Sequence, residues 1–139
     1  MQAQEPVDSQ IQTIRRDADV ISARQMGRRL AEDMGFGRPD QALIATAISE
    51  LARNIVVYAE YGEIEVSVVR QGHRQGLRIV ARDRGPGIAD LGSALADGYS
   101  TGNSLGLGLP GTRRIVDDFD IRSTPGEGVE VTAIKWRRL

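Results

Sequence analysis

Cysteine is absent from this chain, histidine and lysine occur once each, and the aromatic residues come to one tryptophan, three tyrosines and two phenylalanines. Without cysteine there is no disulfide, no thiolate zinc site and no cysteine nucleophile. The single histidine, His73, lies in Gln71-Gly72-His73-Arg74-Gln75-Gly76, which reads as a hairpin loop; no Ser-His-Asp triad can therefore form near the glycine-rich segments. Of the 18 basic residues, 17 are arginine and one is Lys135. A P-loop requires a lysine after its glycines, and the eukaryotic-type kinase requires one on an early strand. Neither can be built here, so nucleotide phosphates would fall to backbone amides, a metal and arginine. No apolar stretch approaches the ~18 residues of a membrane-spanning helix, and no basic, apolar leader is visible, so a soluble cytoplasmic protein is expected. The balance of 18 basic and 19 acidic residues, net −1, gives no general attraction to nucleic acid.

What the chain does contain is consistent with one domain of 139 residues, long enough for a single core, with residues 1–9 expected to fray. A short strand is predicted near Gln10 to Arg15. A helix should follow from about Val20 to Met34, capped by Asp19 and stopped by Gly35. Pro39 opens a second helix, to about Ala59, whose apolar stripe is Ile44, Ala47, Ile48, Leu51, Ile55 and Tyr58. Alternation predicts strands at Glu63 to Arg70 and Leu77 to Asp83. A glycine-rich segment with one short helix, Leu91 to Ala96, comes next, then a third helix from Leu107 to Asp117. Strands at Phe119 to Ser123 and Val129 to Trp136 close the chain around the turn Thr124 to Gly128. Helices followed by hairpins predict an α+β, two-layer sandwich: a mixed, mostly antiparallel sheet with helices on one face.

The run Asp83-Arg84-Gly85-Pro86-Gly87-Ile88 ends the second of these strands. Asp83 shares strand parity with Leu77, Ile79 and Ala81, which turns a carboxylate toward the buried side, where it requires a partner. A ligand amine is one such partner, with Gly85 and Gly87 admitting it close to the backbone. An Asp-initiated turn accounts for the same hexapeptide. Upstream, Glu50 and Asn54 of Glu50-Leu51-Ala52-Arg53-Asn54 fall together on a helical wheel, at the rim of the apolar stripe. A solvated polar pair beside a core helix fits that position too. Downstream lie Gly102 to Gly111, GNSLGLGLPG, and Gly126-Glu127-Gly128. The former reads either as a flexible loop before a helix or as a phosphate-binding helix start.

In this order and at these intervals, the four segments resemble the ATP-binding signature of the Bergerat fold, shared by gyrase, heat-shock chaperones and histidine kinases. The likeness is greatest to the small stand-alone serine/threonine kinases of bacterial sigma-factor control, above all the switch kinases of the stressosome. It runs from about residue 10 to the C-terminus and includes Ala47 to Ile55 and the closing Ala133-Ile134-Lys135-Trp136. The resemblance implies ATP and Mg²⁺ as cofactors, Asn54 as metal ligand and Glu50 as catalytic base. It implies that Asp83 accepts a hydrogen bond from the adenine amino group over a floor of Gly85, Gly87 and Ile88. Ala89 to Ser104 would form a lid, and Gly102, Leu105, Gly106, Leu107 and Gly108 would surround the phosphates. In one departure, Val129 stands where relatives carry a threonine that helps bind the adenine end.

The function so implied is a protein serine/threonine kinase acting on STAS-domain scaffold or antagonist proteins, then released to activate a phosphatase. An anti-sigma factor using the same pocket, and a non-catalytic nucleotide-gated binding module, are the alternatives.

Overall fold

The computed structural model describes residues 6–59, 61–84, 109–124 and 126–137. Its elements are β1 (Val7–Ile14), α1 (Asp17–Asp33), α2 (Arg38–Tyr58), β2 (Gly62–Gln71), β3 (Arg74–Asp83), α3 (Leu109–Ile115), β4 (Asp118–Thr124) and β5 (Gly128–Trp136). The strands form one sheet in the order β1-β2-β3-β5-β4. All pairings among the described residues are antiparallel. The short helix expected at Leu91 to Ala96 lies outside the described residues.

Alternation decides which face is covered. Ile64, Val66 and Val68 of β2, Leu77, Ile79 and Ala81 of β3, and Val131 and Ala133 of β5 join one core with α1 and α2. The stripe expected on α2 is buried from Ile44 to Ile55, but Tyr58 is exposed. Gly27 of α1 packs against Ile48 of α2, where a Cβ would stand 2.0 Å from Ile48 Cδ1. Any side chain there would force Ile48 to shift within the core.

Three boundaries differ from the expected ones, each for a local reason. Helix α1 begins at Asp17, and Asp19 is its third residue; its carboxylate accepts from the N–H groups of Arg15 and Arg16 at 2.9 and 3.2 Å. It thus closes the helix start from inside, as the acidic half of a capping box does. The C-terminus follows expectation: Gly35 is left-handed at φ 89°, and Phe36 N–H reaches the Ala31 carbonyl at 3.0 Å, the Schellman pattern. The expected loop Gln71 to Gly76 shrinks to a turn centred on Gly72 and His73, so that Arg74 to Gly76 pair with Gln71 to Val69. Gly72, at φ 61°, supplies the positive dihedral that two-residue hairpins demand. Lastly, β1 opens at Val7, inside the stretch expected to fray, with a register shift between Val7 and Gln10 where Asp8 has φ 55°.

The other face of the sheet carries Glu63 and Glu65 of β2, Arg82 of β3 and Glu130 of β5. Arg82 binds all three acids, at 3.0 Å to Glu63, 2.9 Å to Glu65 and 3.0 Å to Glu130. Burial works to lower the Arg82 pKa, but the hydrogen bonds from Glu65, Glu130 and Glu63 prevail and hold it above its ordinary value.

Candidate nucleotide site

The site is built where β2 begins, β3 ends and β5 begins. Gly62 pairs with Asp83, and Gly128 lies across from it on the other side. A Cβ on Gly62 would stand 2.2 Å from the Arg82 carbonyl oxygen and 2.9 Å from Ile55 Cγ2. A Cβ on Gly128 would stand 2.2 Å from the Asp83 carbonyl oxygen, and its φ of 111° excludes side chains in any case. These two glycines let three strands and α2 converge on Asp83.

Asp83 is half-buried, and its Oδ1 accepts the Val129 N–H at 3.2 Å. Val129 therefore contributes through its backbone, by orienting the acid, while its side chain is partly buried against the core. A carboxylate fixed in this way at the edge of the core has acceptor positions of the kind an adenine amino group can bond to.

Helix α2 supplies the other polar groups. Ile55 reaches Gly62, so the preceding residue, Asn54, lies on the same last turns of α2 that meet the Asp83 end. Asn54 is half-buried and Glu50 stands one turn earlier on the rim, its side chain 36% exposed. Arg53, more than half exposed, pairs with Glu50 Oε1 at 3.2 Å. Among the described residues no group of three or more His, Cys, Asp or Glu could hold a metal. One amide oxygen on a half-buried rim suits a cation that keeps its waters and arrives with phosphates, so the residues fit Mg²⁺ in that role.

Gly85, Gly87, Ile88, Gly102, Leu105, Gly106, Leu107 and Gly108 lie outside the described residues, as does the expected lid. Of the third helix, α3 is described from Leu109; Leu109 and Thr112 are buried, whereas Arg113 and Arg114 are exposed. Sequence reasoning missed Gly62 and gave Gly128 no role of its own. The signal for Gly62 was a glycine opening an alternating strand directly after a core helix, a place where close backbone approach is the usual reason for one.

Comparison with known proteins agrees with this geometry. The model of the histidine kinase-, DNA gyrase B- and HSP90-like ATPase family matches residues 39–138. The serine/threonine-protein kinase RsbT of Bacillus subtilis (strain 168) is 52% identical over 120 residues, which cover 86% of this chain and 90% of that protein. The anti-sigma F factor of Pasteuria penetrans is 34% identical over 101 residues, 66% of this chain and 65% of its own. That of Thermoanaerobacter sp. (strain X514) is 25% identical over 99 residues, 67% and 68% respectively.

Proposed function

As this chain belongs to the histidine kinase-, DNA gyrase B- and HSP90-like ATPase family, we propose that it is a serine/threonine kinase of bacterial sigma-factor control that phosphorylates a STAS-domain scaffold or antagonist protein. The phosphorylated partner then releases the kinase to activate a phosphatase. The observation that carries the reading is the half-buried Asp83, oriented by the Val129 amide between Gly62 and Gly128, in a chain 52% identical to a protein of that activity.

In this mechanism Asp83 accepts the adenine amino proton and fixes the register of the nucleotide. Asn54 would hold Mg²⁺ through its amide oxygen, and the cation would offset the charge of the phosphates. Glu50 takes the proton of the partner's hydroxyl as its oxygen bonds to the γ-phosphorus; the bond from that phosphorus to the bridging oxygen breaks, and ADP leaves. Arg53 holds the Glu50 carboxylate at the rim until the hydroxyl arrives. The family resemblance assigns Gly85, Gly87 and Ile88 to the base, and Gly102 and Leu105 to Gly108 to the phosphates.

The test uses the purified chain, γ-labelled Mg-ATP and a STAS-domain protein co-purified from the native host. Label should appear on a serine or threonine of the partner, and Glu50→Gln should bind ATP normally while transferring about 10²- to 10⁴-fold more slowly. Asn54→Ala should weaken binding and transfer together. An unlabelled partner with ATP bound would replace the kinase by a nucleotide-gated binding module; Glu50→Gln at the wild-type rate would leave the kinase and remove Glu50 as base. The similarity to anti-sigma F factors supports a second reading, in which the same pocket serves a protein that sequesters a sigma factor. A sigma factor co-purifying in place of the STAS protein would select it.

A further inference from the structure

Tyr61, between α2 and β2, lies between two arginines from separate parts of the chain. The Arg15 guanidinium carbon is 5.6 Å from its ring centre and that of Arg84 is 5.9 Å. Their backbones are anchored: Arg15 N–H donates to the Asp19 carboxylate at 2.9 Å, and Arg84 N–H to the Tyr61 carbonyl at 3.4 Å. All three line an open cleft that also takes in Asp83, Gly128 and Val129 and continues past Thr13, Arg122 and Glu127.

The charges along this cleft are unequally matched. Arg82 is surrounded by Glu63, Glu65 and Glu130, and Arg122 is paired with Asp120 at 3.4 Å. Arg15 and Arg84 have no carboxylate within ion-pair distance among the described residues, although glutamates line the same cleft. Each instead lies over the Tyr61 ring. An arginine held over an aromatic ring has already lost much of its side-chain freedom, so it binds a carboxylate at a lower entropic cost. Tyrosine and arginine together are also the residues that dominate binding energy at protein interfaces.

We infer that Arg15, Tyr61 and Arg84 form a docking site for an acidic segment of a protein partner, beside Asp83 in the same cleft. Charge complementarity selects the occupant. Two forked donors match isolated carboxylates on an extended chain. A nucleic acid is disfavoured, because its continuous phosphate charge would run along Glu63, Glu127 and Glu130 on the rest of the cleft. Adjacent to Asp83 in sequence, the patch would hold a partner beside the adenine end and contribute to its affinity while leaving the transfer step alone.

The probe is a fluorescein-labelled octapeptide of alternating glutamate and glycine, followed by anisotropy without nucleotide, so that the outcome is independent of the kinase reading. Saturable binding is expected that weakens with salt. Arg15→Gln and Arg84→Gln should each weaken it about 3- to 10-fold, the double variant about 10- to 100-fold, by analogy with lost charge-assisted hydrogen bonds. Tyr61→Leu should reduce it about 3-fold by freeing both guanidinium groups. Arg70→Gln, an exposed arginine at the far end of β2, should change nothing, and circular dichroism should show every variant folded. Mg-ATP affinity should be the same in the double variant as in the wild type. Equal binding of the glutamine-for-glutamate peptide, tighter binding of octathymidylate, or loss of ATP affinity in the double variant would each overturn the assignment.

Discussion

Where β5 finishes, two aspartates and an arginine hold Trp136; where β5 begins, glycines let neighbouring backbone close in on Asp83. At the first end the Trp136 N–H donates to Asp117 and its indole N–H to Asp118, both at 2.7 Å, while Arg74 lies 4.1 Å over the ring. Gly76 is there because a Cβ would stand 2.7 Å from the indole. At the second end Gly62 and Gly128 fill no such void; they bring backbone close to Asp83 and leave its carboxylate half-buried. Glycine, acid and a neighbouring strand recur at both ends. At one end the acids are bonded to the tryptophan, and at the other lies the proposed adenine contact, which sets residues that stabilise beside residues proposed to bind.

The comparison breaks most sharply at Trp136. Trp136→Ala removes a side chain 5% exposed, takes the indole N–H from Asp118 and the ring from under Arg74, and keeps only the backbone N–H that Asp117 accepts. Urea unfolding followed by circular dichroism should show about 3–5 kcal/mol lost. The folded fraction should keep its ATP affinity, because the indole is at the opposite end of β5 from Asp83. A parallel loss of affinity would mean that the two ends are coupled through the strand.

The paired glycines come next. Gly76→Ala presses against the indole and Ile134, both side chains able to shift slightly, and should destabilise by about 1–3 kcal/mol with nucleotide binding unchanged. Gly128→Ala meets backbone at a left-handed φ, where nothing can yield but Asp83 itself. Its stability loss should be similar, yet calorimetry should find ATP affinity reduced about 10-fold or more.

Much of this arrangement was legible in the residues, because the period of two in β2 and β3 and the helical stripe of α2 each bury one continuous face. Asp83 could be placed on the buried side from parity alone. Partners could not be read in the same way. That Val129 would donate its amide to Asp83 and that Arg82 would gather three glutamates both depend on strand register, and periodicity sets the face without setting the register. The closing Ala133 to Trp136 matched the family as a motif, but the reason for its tryptophan lies in Asp117 and Asp118, which adjoin it only once β4 and β5 pair.

Asp83→Asn sharpens the comparison at the ligand end. The amide oxygen can still accept from Val129, so the folded state should lose less than about 1 kcal/mol. The group offered to the adenine becomes an NH₂, which repels an amine donor. Affinity for ATP should fall about 10- to 100-fold, the worth of a charge-assisted hydrogen bond. Titration calorimetry at equal affinity for the two proteins would show that Asp83 serves the sheet alone.

The smallest effect is expected at Val129, whose side chain shares strand parity with Val131 and Ala133 and so faces the layer between sheet and helices. Val129→Thr keeps the branched shape and the amide that holds Asp83, and adds a hydroxyl at the rim of the site. Where that hydroxyl meets the bound base it adds one neutral hydrogen bond, about 0.5–1.5 kcal/mol, so ATP should bind about 2- to 10-fold more tightly. Without nucleotide the same hydroxyl has only water as a partner, and stability should be unchanged or slightly lower. Calorimetry and urea unfolding of the one variant therefore read the two ends separately. Tighter ATP binding with no gain in the apo protein assigns the position to the ligand; unchanged ATP affinity means that water already satisfies the base in the valine protein.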